Sequence, residues 1–304
     1  MAGAARRVLE GFRRPIIAAL CCLLALVSGC SVLRIGYSQA PDLMYWWLDG
    51  HVDFNGAQTV RVREALGQWF AWHRRSQLPD YAAQLARAQA EVLVDTTPAR
   101  VCEWQDEVIR RAQTAFEHAV PAAADILMTI TPQQIQHIEH RYAKANDEFR
   151  NDYLQPDPAQ RAEAAVKRTV ERIESLYGAI DDAQRSRIAA ALARSPFDPE
   201  LWFTERRLRQ QDTLQILRTL TASAGAGREQ AQAALRTYAD RLQRSPRENY
   251  RRYAQRLTEF NCAFAATFHN ATSAAQRRRA ADKLAGWESD LRALAAAPEP
   301  SRSD

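Results

Sequence analysis

The stretch Ile130-Thr131-Pro132-Gln133-Gln134-Ile135-Gln136-His137-Ile138-Glu139-His140-Arg141-Tyr142 decides the fold class of this chain. It joins a helix start to a helix face. The Thr131 hydroxyl is placed to accept from the amide three residues on, and the Gln134 side chain to reach back to the Thr131 N–H. Pro132 suits the first helical position, where no N–H is needed. From Ile135 the apolar residues continue through Ile138, Tyr142, Ala145, Phe149 and Tyr153, in steps of 3, 4, 3, 4 and 4. Such steps follow the 3.6-residue turn and lay one apolar stripe along an α-helix.

Working outward, the same start recurs. Asn55, Asp181 and Ser273 each stand three residues before a glutamine (Gln58, Gln184, Gln276), and Thr97-Pro98 opens a fifth helix with Arg100 in the glutamine's place. Two more stripes follow: Val166, Val170, Ile173, Tyr177, and Tyr250, Tyr253, Leu257, Phe260, Phe264, Phe268. No segment alternates as a strand does. Glycine numbers only 11 in 304 residues, few for a turn-rich β fold. The starts are spaced 42, 34, 50 and 92 residues apart, too unevenly for a solenoid repeat. Breaks are predicted at 77–79, 95–98, Pro121, 155–158, 195–199, 223–227 and 244–246. The fold class is therefore all-α: one elongated antiparallel bundle of amphipathic helices over 41–296, with a disordered tail at 297–304.

The N-terminus reads as an address. Arg6, Arg7, Arg13 and Arg14 precede an apolar run from Pro15 to Val27, which is shorter than the about 20 residues a spanning helix needs. Val27-Ser28-Gly29-Cys30 follows and resembles the bacterial lipobox. The expectation is a signal peptide over 1–29, then a lipidated tether over 30–40. The Cys30 thiol takes a diacylglycerol, and the freed amine takes a further acyl group such as palmitate. Two or three chains, at about 0.8 kcal/mol per buried CH₂, hold a protein on a bilayer where one does not. Ser31 lacks the aspartate of the inner-membrane retention rule, which implies an outer-membrane anchor facing the periplasm. The signal region carries four arginines and Glu10, a net of +3, so the chain's +5 falls to +2 after processing. That near-neutral body gives no argument for a nucleic-acid partner.

Tyr45-Trp46-Trp47-Leu48-Asp49, Val52-Asp53-Phe54, Trp72-His73-Arg74-Arg75, Leu78-Pro79, Tyr81, Leu201-Trp202-Phe203 and Glu205-Arg206-Arg207, together with the lipobox, resemble one family. It is an uncharacterised proteobacterial lipoprotein family, domain of unknown function 6279. The resemblance implies an all-helical lipoprotein and carries no activity. Ile130-Thr131-Pro132-Gln133-Gln134 and Ile180-Asp181-Asp182-Ala183-Gln184 also resemble the Leu-Thr-x-x-Gln motif of helical periplasmic chaperones, the second with aspartate for threonine. An apolar residue before any capping box looks the same.

Residues able to carry chemistry are scattered. His137 and His140 lie three apart without the third ligand of a zinc site, and read as surface or packing histidines. There is no Gly-x-Ser-x-Gly elbow and no phosphate-binding glycine loop. Asp147, Glu148 and Asp152 read as a solvated face, as do Arg206, Arg207, Arg209 and Arg277-Arg278-Arg279, with lipid phosphate or lipopolysaccharide as the alternative for the arginines. Adjacent Trp46 and Trp47 diverge by about 100° on a helix. Either one packs inward while the other reaches a bilayer interface, or both are buried. Lipidation of Cys30 leaves Cys102 and Cys262 as an expected disulfide, with two buried free thiols as the alternative.

The sequence thus predicts no enzyme, metal or cofactor, and identifies no small-molecule ligand. Its predicted partners are the membrane, through the lipid anchor, and envelope proteins. The expected role is a non-catalytic protein-interaction or chaperone-like module in the cell envelope. A structural scaffold near peptidoglycan or outer-membrane machinery is the alternative.

Overall fold

The computed structural model describes residues 32–222 and 227–297. The segment predicted as a signal peptide (1–29), the predicted lipobox (27–30) with Cys30, most of the predicted break at 223–227 and the tail from 298 lie outside the described residues. Within them the chain is helical almost throughout and contains no strand. The first half holds α1 (Val32–Ser38), α2 (Ala40–Val52), α3 (Gly56–Trp72), a π-helical turn (His73–Gln77), α4 (Leu78–Glu91), α5 (Pro98–Leu127) and α6 (Pro132–Tyr153). The second holds α7 (Pro158–Tyr177), α8 (Asp182–Leu192), α9 (Pro199–Ala222), α10 (Arg228–Gln243), α11 (Glu248–Asn270) and α12 (Ala274–Ala296).

The helix starts are chemical. Asn55, Thr131, Asp181 and Ser273 each accept from the amide of the glutamine three residues on, and each glutamine accepts the capping residue's own N–H. Thr97 caps α5 through the Arg100 amide alone. Four of these glutamines do more than cap. Gln58 and Gln134 donate to one another's side-chain oxygens at 3.2 and 2.7 Å, and Gln184 and Gln276 do so at 2.9 and 3.0 Å. Gln134 also donates to the Asp53 carbonyl at 2.8 Å, and Gln58 to the Thr129 carbonyl at 2.9 Å. Each pair joins two helix N-termini, α3 to α6 and α8 to α12, with every polar atom of a buried amide used.

α5 is the central strut, 30 residues or about 45 Å long. It packs on α3, α10 and α11, while α12 runs antiparallel beside α4 and α9 antiparallel beside α6. The predicted stripe fills the core: Ile135 and Ile138 pack with Ile130, Leu214 and Leu217. The second stripe meets the third where Phe268 joins Val170 and Ile188. Each such side chain contributes about 1.5–3 kcal/mol.

Three expectations are corrected. The segment predicted as a tether is helical from Val32. Tyr37 sets its edge on Phe70 (5.7 Å between centroids) and hydrogen-bonds His73 Nδ1 at 2.8 Å, and Arg34 reaches Asp290 at 3.2 Å. At Pro121 α5 does not break. A proline inside a helix costs about 3 kcal/mol, but Val120 and Ala124 on either side are fully buried, and their packing holds the segment straight through. At Pro79 the chain stays helical too: the π-turn absorbs the mismatch, and the proline sits in the first turn of α4, where its missing N–H is harmless.

Candidate functional site

The motif Trp72-His73-Arg74-Arg75 falls where α3 passes into the π-turn. The extra residue of that turn aims His73 into a ring of aromatic side chains. Its imidazole lies 4.7 Å over Trp69, takes the edges of Trp72 and Tyr81, and hydrogen-bonds the Tyr37 hydroxyl. Burial holds the His73 pKa below the usual imidazole value and pushes Tyr37 up to about 12. The neighbours of the His73 ring are aromatic side chains, with the Tyr37 hydroxyl as its hydrogen-bond partner, and the cluster joins α1, the π-turn and α4 into one wall.

Beside this wall opens an apolar groove of about 350 Å³ between α2, α3 and α5. Its sides are Met44, Leu66, Trp69 and Phe116, and its floor carries the small side chains Ala115, Ala119, Ala122 and Ala123. The Trp69 indole donates to the Ala115 carbonyl at 3.0 Å, fixing α3 against α5. His118 stacks on Trp72 at 3.7 Å at the mouth. Spacing of alanines along α5 is the sequence signal for this floor, and it is invisible until α3 is known to lie alongside.

The sequence-predicted residues are placed as follows. Trp46 and Trp47 are 62% and 60% exposed, so neither packs inward; Tyr45 is the buried ring of that triplet, under the Arg63 guanidinium. Both tryptophans border solvent, and Trp47 stands with Leu48, His51 and Val52 along the cleft between α2, α6 and α9. His140 is exposed and His137 is half-buried, its Nε2 3.3 Å from the Gly50 carbonyl oxygen, and no group of His, Cys, Asp and Glu among the described residues is arranged to hold a metal. Asp147, Glu148 and Asp152 are exposed.

Of the arginines read as a solvated face, Arg207, Arg278 and Arg279 are exposed, and Arg206, Arg209 and Arg277 depart from it. Arg277 is 13% exposed and binds Asp95 together with the last carbonyls of α11. Arg206 and Arg209 turn into a cleft between α6 and α9, and only Arg207 of that trio is exposed. Cys102 of α5 and Cys262 of α11 are joined by a disulfide with Cα atoms 5.6 Å apart. Cys262 lies off the apolar stripe of its own helix, and α5 is the neighbour that buries it.

Among the described residues no helix is long and apolar enough to cross a membrane. Comparison with curated proteins and with solved structures gives no match. A family model does match, over residues 50–251, a span that contains the His73 turn, the groove floor and the α6–α9 cleft. With well over half its length inside that match, the chain belongs to a family of unknown function, DUF6279.

Proposed function

We propose that this chain is an outer-membrane-anchored lipoprotein facing the periplasm, whose helical body binds non-native envelope proteins as a non-catalytic, chaperone-like module. The groove between α2, α3 and α5 carries the reading. It is apolar, floored by alanines that leave room for a partner's side chains, and bordered on α2 by Met44 and Leu48. A monomer leaves such a surface uncovered when something binds there. The occupant that fits is an extended apolar segment, the feature an unfolded client exposes and a folded one hides. Supporting the address are the basic n-region, the apolar run and the lipobox ending at Cys30, and a disulfide of the kind an oxidising compartment keeps.

Purified lipoprotein is expected to suppress aggregation of an unfolded client at near-stoichiometric ratios, and Ala119→Trp, which fills the groove floor, to abolish that effect while the circular dichroism is unchanged. No suppression by the wild-type protein rejects the reading. Mass spectrometry of the N-terminal peptide tests the anchor separately, since an unmodified Cys30 sulfur removes it. The 30-residue strut α5 favours a second reading, a scaffold near peptidoglycan or outer-membrane machinery. Crosslinking in intact envelopes that recovers one stable partner in place of many clients supports it.

A further inference from the structure

A second cleft shares Leu48 with the groove and opens between α2, α6 and α9, with α10 and α11 at its end. Its volume is about 530 Å³, inside the roughly 300–1,000 Å³ of small-molecule sites. The lining is graded along the antiparallel α6–α9 pair. One end is apolar: Val52, Leu127, Ile130, Ile138 and Leu217. The other carries Arg141, Arg206 and Arg209, flanked by Trp202 and Tyr250.

The charges at that end do not cancel. Glu205 is buried and is held by Arg209 at 3.0 Å and Arg247 at 3.4 Å, and Asp212 takes Arg247 at 2.8 Å. Two carboxylates are thereby matched to two arginines. Arg206 has only a neutral acceptor for its Nε, the Asn146 side chain at 3.0 Å. Arg141 has none: its Nε is buried and finds no hydrogen-bond partner among the described residues. Elsewhere partly buried arginines meet acids, Arg100 with Glu91 and Arg111 with Asp80. A buried guanidinium N–H without an acceptor is unfavourable, and Arg141 with one such N–H, next to Arg206 with no carboxylate of its own, sets a demand for an anion beside an apolar trough.

We propose that this cleft binds a single-chain amphiphilic anion, its carboxylate or phosphate on Arg141 and Arg206 and its hydrocarbon tail over Val52, Ile138 and Leu217. Planar guanidinium groups suit both oxyanions, which take paired hydrogen bonds from them. One cationic end and one apolar trough give the polarity of a single-chain lipid. The site is separate from the groove and stands whether or not the chain is a chaperone.

The test uses full-length protein in its own membranes, with two photoactivatable probes: a diazirine fatty acid and a diazirine lysophosphatidylglycerol. Adducts are expected on the peptides of α6 and α9. Competition by unlabelled oleate alone assigns a carboxylate ligand, and competition by lysophosphatidylglycerol alone a phosphate ligand. Arg141→Gln is expected to lower labelling at least about tenfold, the loss of hydrogen bonds to a charged group. Ala145→Phe, which narrows the cleft without removing a charge, is expected to do the same, and keeps the test open should Arg141→Gln not fold. Ala119→Trp in the groove is expected to label as wild type. Adducts spread over the exposed helices, or wild-type labelling of a folded Ala145→Phe protein, overturns the proposal.

Discussion

His73 owes its environment to the π-turn, and that environment has a measurable consequence. Its pKa is lowered in the folded chain, so folding favours the neutral ring. The stabilisation is complete above the ordinary imidazole pKa of about 6.5 and is lost as pH falls through the lower folded value. Thermal unfolding followed between about pH 7 and pH 5 is expected to show Tm falling, and His73→Asn to flatten that dependence relative to wild type. An unchanged slope in the variant contradicts the assignment. His269 is held differently. The Val94 carbonyl, 2.8 Å from Nε2, only accepts, so in the neutral ring Nε2 carries the proton and Nδ1 accepts from the Tyr177 hydroxyl at 2.8 Å. Neither role is visible in the sequence, where each histidine stands alone. The imidazoles acquire partners 36 and 175 residues away only when helices dock.

Helix starts were legible because capping is local. Asn55, Thr97, Thr131, Asp181 and Ser273 need nothing beyond their own turn to satisfy the first amides. What the glutamines do next is not local: partners lie 76 and 92 residues apart, and their pairing converts two caps into one joint. Gln134→Ala is expected to destabilise the protein by roughly 2 kcal/mol, one cap interaction plus the buried Gln58 left without its partner. Urea unfolding measures it, with Gln133→Ala, an exposed neighbour, within about 0.5 kcal/mol of wild type. Equal effects at the two positions would show that the joint contributes nothing. Pro121 and Pro79 show the reverse limit. Each is a break signal by backbone chemistry alone, and each is overridden, one by the burial of Val120 and Ala124, the other by an extra residue in the turn before it.

Across the whole chain, the Cys102–Cys262 disulfide closes a loop with a sequence separation of 160 and ties the strut α5 to α11. In the chain-entropy picture a crosslink of that span stabilises by about 5 kcal/mol, acting mainly on the unfolded state. Denaturation under reducing conditions, or of the double variant Cys102→Ser/Cys262→Ser, is expected to show a loss approaching that size with a larger denaturant slope, because the unlinked chain exposes more surface. A loss under about 1 kcal/mol contradicts it. α5 packs on α3, α10 and α11, and the groove and the cleft open on neighbouring sides of α2, with Leu48 in the lining of both.

Periodicity, capping residues and scarce glycine established an all-α chain and most of its helix ends, since these depend on contacts within four residues. The lipobox established an expectation of address in the same local way. The groove and the cationic cleft were out of reach of such reasoning. Alanines on α5 and arginines on α6 and α9 look like filler and solvated charge in one dimension. They become a floor and a cationic end only because distant helices pack against them and exclude water.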